Sequence, residues 1–194
     1  MPGMGSAGSI AAYDTGRTPP AGNSVMSTDR IRIRTATSED LDTLSELIAA
    51  SYATLRESGY ETQALEAAMP KMSRANPDLL SSGTYFVAEV DGVPAGCGGW
   101  TTAKPGTGEI VDGVAHIRHF ATHPRFVRMG IARLLLDRCL AEAHATGARL
   151  MKSQSTLSGE RFYAAAGFRR IGEVEVEFAP GIILPAIEME RALP

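Results

Sequence analysis

The chain has 194 residues, of which 44% are hydrophobic and 21% charged, with a formal net charge of −3. That length suits one well-buried domain and is short for two, and the mild acidity gives no electrostatic reason to expect nucleic acid or an anionic membrane as a partner. Two cysteines, Cys97 and Cys139, make neither a disulfide framework nor a metal-ligand cluster, and no apolar run nears the roughly 18 residues that a membrane helix needs. A reducing cytoplasm is therefore the expected setting.

Residues 1–28 are rich in Gly, Ala, Ser and Pro and poor in large apolar side chains, so a flexible tail is expected there and a single domain over 29–194. Ile31–Arg34 alternates as a half-buried strand does. Thr37–Asp40 reads as a helix cap with an acidic first turn, and Leu41, Leu44, Leu47, Ile48 and Tyr52 then recur at helical spacing. A weaker helix is expected over Thr62–Met69, ending at Pro70, with another near Asn76–Leu80. Tyr85–Val90 and Val93–Trp100 flank Asp91-Gly92, which predicts a hairpin with a tight turn. Val114–Thr122 is the next strand. Ile131, Leu134, Leu135, Cys139 and Ala143 then place one face of a long helix on the sheet. Arg149–Ser153 reads as a strand, Leu157–Ala166 as a helix, and Ile171–Phe178 with Ala186–Arg191 as a final strand pair joined by a Pro180–Pro185 loop. This order predicts a mixed sheet covered by helices.

The chemistry concentrates between His116 and Phe168. A strand runs into His123-Pro124, and a basic segment from Arg125 to Gly130 opens the long helix. Free backbone N–H groups at a helix N-terminus suit a phosphate-bearing ligand, and the small Gly130 and Ala132 let it approach closely. Arg125, Arg128 and Arg133 are available to supplement the helix dipole. The alternative is an ordinary capped helix with solvated arginines.

Phe120–Pro124 followed by Arg128–Ala132 is similar to the acetyl-CoA signature of the GCN5-related N-acetyltransferases (GNAT family). Phe162–Phe168 resembles that family's later helix, at matching spacing. The resemblance covers about Ile31 to Leu193. It implies a mostly antiparallel α/β (α+β) sheet of about seven strands flanked by about four helices. It also implies acetyl-CoA as co-substrate, no metal, and direct transfer of an acetyl group to a primary amine on a small molecule or peptide. A homodimer is compatible with it. The family's motif usually carries Gln or Arg where Val127 stands here, with Arg128 next to it.

By this resemblance the backbone around Arg128, Met129, Gly130, Ile131, Ala132 and Arg133 would hold the pyrophosphate. Phe120, Ala121 and Thr122 would offer a strand edge to the pantetheine arm. Thr156 stands where many members carry asparagine, seven residues before Tyr163. Tyr163 is the candidate general acid for the departing thiolate, or else an aromatic packing residue. His116, fourteen residues before Gly130, occupies the place of the family's strand base, or else is a hydrogen-bonded core histidine. Strand alternation puts His119 on the opposite face from His116 unless a bulge intervenes, so His116, His119 and His123 are expected to bind no metal together. For the acceptor, the resemblance points to the region of Tyr52, Arg56, Glu57, Tyr60, Glu61, Trp100 and the Pro180–Pro185 loop without selecting among them. The competing reading is a non-catalytic acyl-CoA-binding or sensing module with the same fold.

Overall fold

The computed structural model describes residues 30–194, so the expectation of a flexible tail over 1–28 lies outside the described residues. Seven strands form one sheet in the order β1-β2-β3-β4-β5-β7-β6. They are β1 (Ile31–Thr35), β2 (Tyr85–Val90), β3 (Val93–Thr101), β4 (Val114–Thr122), β5 (Leu150–Ser155), β6 (Arg169–Ala179) and β7 (Ile182–Ala192). Five α-helices flank them: α1 (Leu41–Tyr52), α2 (Thr62–Met72), α3 (Pro77–Leu80), α4 (Ile131–Ala145) and α5 (Glu160–Ala165). Every strand pairing is antiparallel except β4 with β5.

Local chemistry explains most of these boundaries. Asp40 accepts the Thr37 N–H at 2.8 Å and takes both guanidinium nitrogens of Arg34, which ties the start of α1 to β1. Asp91 and Gly92 both have positive φ, as the tight turn between β2 and β3 demands. Pro70 lies inside α2 rather than ending it, and the helix stops only at Met72. A proline so close to the last turn removes one hydrogen bond instead of breaking the helix in two. The final hairpin is longer than expected: β6 and β7 run to a turn at Pro180-Gly181, so the Pro180–Pro185 segment is a turn followed by strand, not a loop.

The main core lies between the sheet and α4–α5, built on Phe86, Trp100, Leu135, Leu136, Met151, Tyr163 and Met189. Leu44, Leu47, Ile48, Leu79 and Tyr85 form a second core on the opposite face, under α1 and α3. Close packing at the centre depends on glycine. A Cβ on Gly96 would lie 2.6 Å from the Ile131 side chain, and one on Gly98 would lie 2.4 Å from the Phe120 ring. These two positions let the first residue of α4 settle on β3 and let Phe120 lie across the strand.

Two irregularities open a site. Pairing between β4 and β5 stops after His116↔Lys152, so the strands part from Ile117 and Ser153 onward. In the β3–β4 ladder, Cys97 pairs with Ala121 and Gly99 with Arg118, so His119 and Phe120 together face the single Gly98. This is a β-bulge, and His119 sits in it at φ 49.

Candidate active site

The gap between β4 and β5 continues as two cavities. The smaller, about 260 Å³, is bounded by Ser51 and Tyr52 of α1, by Ile117 and the stretch from His119 to Thr122 of β4, by Ala132 of α4, by Gln154 and Ser155 of β5, and by Thr156, Phe162 and Tyr163 beyond it. The larger, about 860 Å³, lies on the far side among α2, the loop after β3 and the β6–β7 hairpin. Tyr52, Ile117, His119, Gln154 and Thr156 line both. The two spaces therefore meet at the bulge.

On the smaller side, the strand edge freed by the gap is held by α1. Tyr52 Oη donates to the Phe120 carbonyl at 3.3 Å, and the Thr122 N–H donates to Ser51 Oγ at 3.3 Å. Both bonds are long, and both are made by side-chain hydroxyls that can rotate away. An amide-bearing chain laid along β4 can take over these two backbone groups, as an added strand does. At the end of this edge the chain turns through Arg128 (φ 65) and Gly130 (φ 81) into α4. Gly130 is the N-cap and no side chain caps it, so the first N–H groups of α4 are left to a ligand or to water. A 15-residue helix presents its positive dipole end at the same place. These features fit a pyrophosphate followed by a pantetheine arm.

Tyr163 reaches the same cavity from α5. Its ring packs against Phe120, Phe162 and Phe168 at centroid distances of 6.4, 5.0 and 5.3 Å. Burial pushes its phenol well above the ordinary tyrosine range, opposed by the neighbouring Ser153 hydroxyl. The phenol thus keeps its proton at neutral pH.

The comparisons with known proteins bear on the fold that holds these residues. Residues 81–170 match the model of the acetyltransferase (GNAT) domain. That match covers a little under half of the chain. The fold of the chain is that of solved GNAT structures. A GCN5-related N-acetyltransferase from Rhodopseudomonas palustris superposes with a TM-score of 0.70 at 22% identity, covering 89% of this chain and 100% of that one. The PaiA N-acetyltransferase from Thermoplasma acidophilum, in complex with coenzyme A, gives a TM-score of 0.61 at 20% identity over 84% of this chain and 98% of that one. A ribosomal-protein-alanine N-acetyltransferase from Brucella melitensis gives 0.58 at 19% identity, over 84% and 99%. No curated protein matches the sequence.

Within this GNAT frame the residues singled out from the sequence take distinct places. Phe120, Ala121, Thr122, Ala132, Thr156 and Tyr163 line the smaller cavity together. Arg128, Met129, Gly130 and Ile131 form the turn into α4, with Ile131 fully buried. The Arg133 guanidinium pairs with Asp137 at 2.9 Å on the exposed side of α4, so it offers a backbone N–H rather than a free charge. His116 is buried and lines neither cavity. Burial and the charges of Lys152, Lys104 and Arg118 hold its pKa below the ordinary value, with Glu188 opposing.

The bulge supplies what alternation missed. It brings His119 round to the side of Arg118, facing α1 and α2. There His119 Nε2 lies 2.8 Å from the Met72 carbonyl, and the ring stands 5.7 Å from that of Tyr52. A carbonyl only accepts, so Nε2 carries the hydrogen and Nδ1 keeps its lone pair. Burial lowers the His119 pKa, with Arg118 adding to the effect and the Met72 carbonyl opposing it. The imidazole is therefore a neutral base where the two cavities join. A non-glycine residue at positive φ in a cleft was the structural signal; alternation in the sequence carries no trace of it.

The acceptor-side expectations divide. Tyr52 and Tyr60 line the larger cavity, and Tyr60 Oη also accepts the Leu157 N–H at 3.0 Å. Trp100 is instead buried in the main core, and Glu61 caps α2 by accepting the N–H groups of Gln63 and Ala64. Arg56 and Glu57 line neither cavity, and of the Pro180–Pro185 segment only Leu184 and Pro185 reach the larger one. Among the described residues no group of three or more His, Cys, Asp or Glu side chains is placed to hold a metal ion. His119 is engaged with the Met72 carbonyl, and His123 accepts the Arg125 N–H.

Proposed function

We propose that this protein is an acetyl-CoA-dependent N-acetyltransferase that passes the acetyl group directly to an amine in a ternary complex. The observation that carries this reading is the junction of two cavities across the β4–β5 gap, with a protonated phenol on one side and a neutral imidazole at the meeting point. Acetyl-CoA supplies an activated thioester carbonyl. The turn from Arg128 to Arg133 would bind its pyrophosphate through backbone N–H groups, and Phe120–Thr122 would orient the arm. Thr156 and Gln154 would border the reacting group. His119 Nδ1 would take a proton from the amine, directly or through a water, because an ordinary amine is protonated at neutral pH and cannot attack. Tyr163 would give its proton to the departing thiolate and be reprotonated, directly or through a water, by the second proton that the attacking nitrogen sheds.

His116 is buried and lines neither cavity, and its role as base is the alternative within the same mechanism. Cys97 and Cys139 are both free and buried, which supports a reducing, cytoplasmic setting. Among the described residues no helix is long and apolar enough to cross a membrane.

The test follows release of free thiol from acetyl-CoA over a broad panel of amines, alongside thermal unfolding with and without acetyl-CoA. Thiol release with at least one amine is the expected result. Stabilisation by acetyl-CoA without thiol release from any amine would indicate a non-catalytic acyl-CoA-sensing module. Neither stabilisation nor release would overturn the reading.

A further inference from the structure

The larger cavity has an uneven charge. Arg118 and Lys104, both half-buried, and Lys71 and Arg74 on the rim line it, against Glu175 and Glu177 on β6. One of the two acids is already occupied, since Glu177 Oε1 accepts the Gly181 N–H at 3.0 Å and holds the hairpin turn. Among the described residues none of the four cations is in an ion pair.

Arg118 is the most telling of them. Its Nη1 donates to Thr101 Oγ1 at 2.9 Å, which fixes the guanidinium while leaving its other N–H groups unspent. It is next in sequence to His119, and the bulge puts both side chains on the same cavity. A fixed, partly desolvated guanidinium costs free energy unless an anion meets it, and its planar fork matches a carboxylate. A cavity of about 860 Å³ is the size of a small-molecule site.

On the acetyltransferase reading, we infer that the acceptor is a small amine carrying a carboxylate, an amino acid or a near relative, whose carboxylate binds Arg118 while its amine faces His119. Lys71, Arg74 and Lys104 then set a positive field that gathers such anions and would repel polyamines. Thr101 is a positioning residue, acting through the guanidinium it holds.

The experiment compares each of the twenty standard amino acids with its carboxamide, and phosphoethanolamine with ethanolamine. It records kcat/KM by thiol release, and binding to the CoA-loaded protein by calorimetry. At least one amino acid should bind and react about ten- to hundredfold better than its carboxamide, the margin of a charge-assisted contact. In Arg118→Gln that preference should collapse toward equality, and Arg118→Lys should restore part of it. The circular dichroism spectrum of each variant shows whether it has folded; if Arg118→Gln has not, Lys104→Gln, which should reduce the same preference, takes its place. Carboxamides serving as well as acids, phosphoethanolamine alone being favoured, or no amino acid binding while acetyl-CoA binds, would each overturn the inference and leave the transferase reading standing. Failure of acetyl-CoA itself to bind would remove both.

Discussion

Tyr163 and His119 divide the proton traffic in the proposed reaction, and their surroundings allow the roles to be separated. Tyr163 sits among Phe120, Phe162 and Phe168, so Tyr163→Phe keeps the ring contacts and removes only the hydroxyl. General acid catalysis is worth about 10²–10⁴-fold, so turnover should fall by at least about 10² while acetyl-CoA affinity changes less than about threefold. Unchanged turnover would return Tyr163 to a packing role. His119 needs a different substitution, because its φ of 49 strains most side chains. Asparagine tolerates that region, so His119→Asn preserves the bulge while removing the base. Because His119 takes its proton from the ammonium, log(kcat/KM) should climb with a slope of about one below the His119 pKa, which burial holds beneath the ordinary histidine value, and level off above it. His119→Asn should leave a slope of about one throughout, and His116→Asn should leave the break in place. If His116→Asn removes the break instead, the base is His116. The places of Gly130 at the start of α4 and of Tyr163 on α5 were legible in the sequence from the local pattern. His119 was not, because a bulge changes which face a strand residue occupies without changing the residues.

At the scale of elements, the amphipathic helices and the tight hairpin could be read directly, since α1 and α4 repeat apolar residues every three or four positions and Asp91-Gly92 suits only a tight turn. Less legible were the three glycines of β3, which the sequence offers simply as small residues. Gly96 faces Ile131 and the Ala121 carbonyl, so it sets how closely the N-terminus of α4 approaches β4. Gly96→Ala would put a methyl group 2.6 Å from Ile131 Cγ2, and either α4 must lift or the ring of contacts around it must spread. Overpacking of this kind costs about 1–3 kcal/mol. Lifting α4 also moves the N–H groups proposed to hold the pyrophosphate away from the strand edge proposed to hold the pantetheine arm. We expect Gly96→Ala to weaken acetyl-CoA binding about tenfold or more by calorimetry, beyond its loss of stability in urea. Gly172 lies on the edge strand with open space around it, so Gly172→Ala should change neither binding nor stability by a comparable amount. Equal behaviour of the two variants would mean that α4 is not held in place by Gly96.

The whole molecule is two half-sheets, β1–β4 and β5–β7, joined by three residue pairs and by side chains that bridge the gap. Tyr60 ties the segment after α1 to the start of the Leu157 turn, while Tyr52 and Ser51 tie α1 to β4. A ligand lying in the gap touches both halves, so its binding energy appears as stability of the entire fold, not of one loop. At a hundredfold excess over Kd a one-site ligand adds about 2.7 kcal/mol. A domain of this size gains about 2–4 °C in Tm per kcal/mol. Saturating acetyl-CoA should therefore raise Tm by roughly 5–11 °C. Desulfo-CoA, which keeps the pyrophosphate and the pantetheine amides, should do nearly as well, whereas ADP should give only a small part of the shift because it leaves the β4 edge unfilled. The Ser51 and Tyr52 hydroxyls add a second signature. If they occupy the β4 backbone groups that the pantetheine amides would take, Ser51→Ala should not reduce the shift, since the Thr122 N–H then waits for the ligand. A large fall in the shift with Ser51→Ala would mean that Ser51 itself holds the cofactor. A full shift with ADP alone would confine the site to the N-terminus of α4 and leave the gap between the half-sheets without a role in binding.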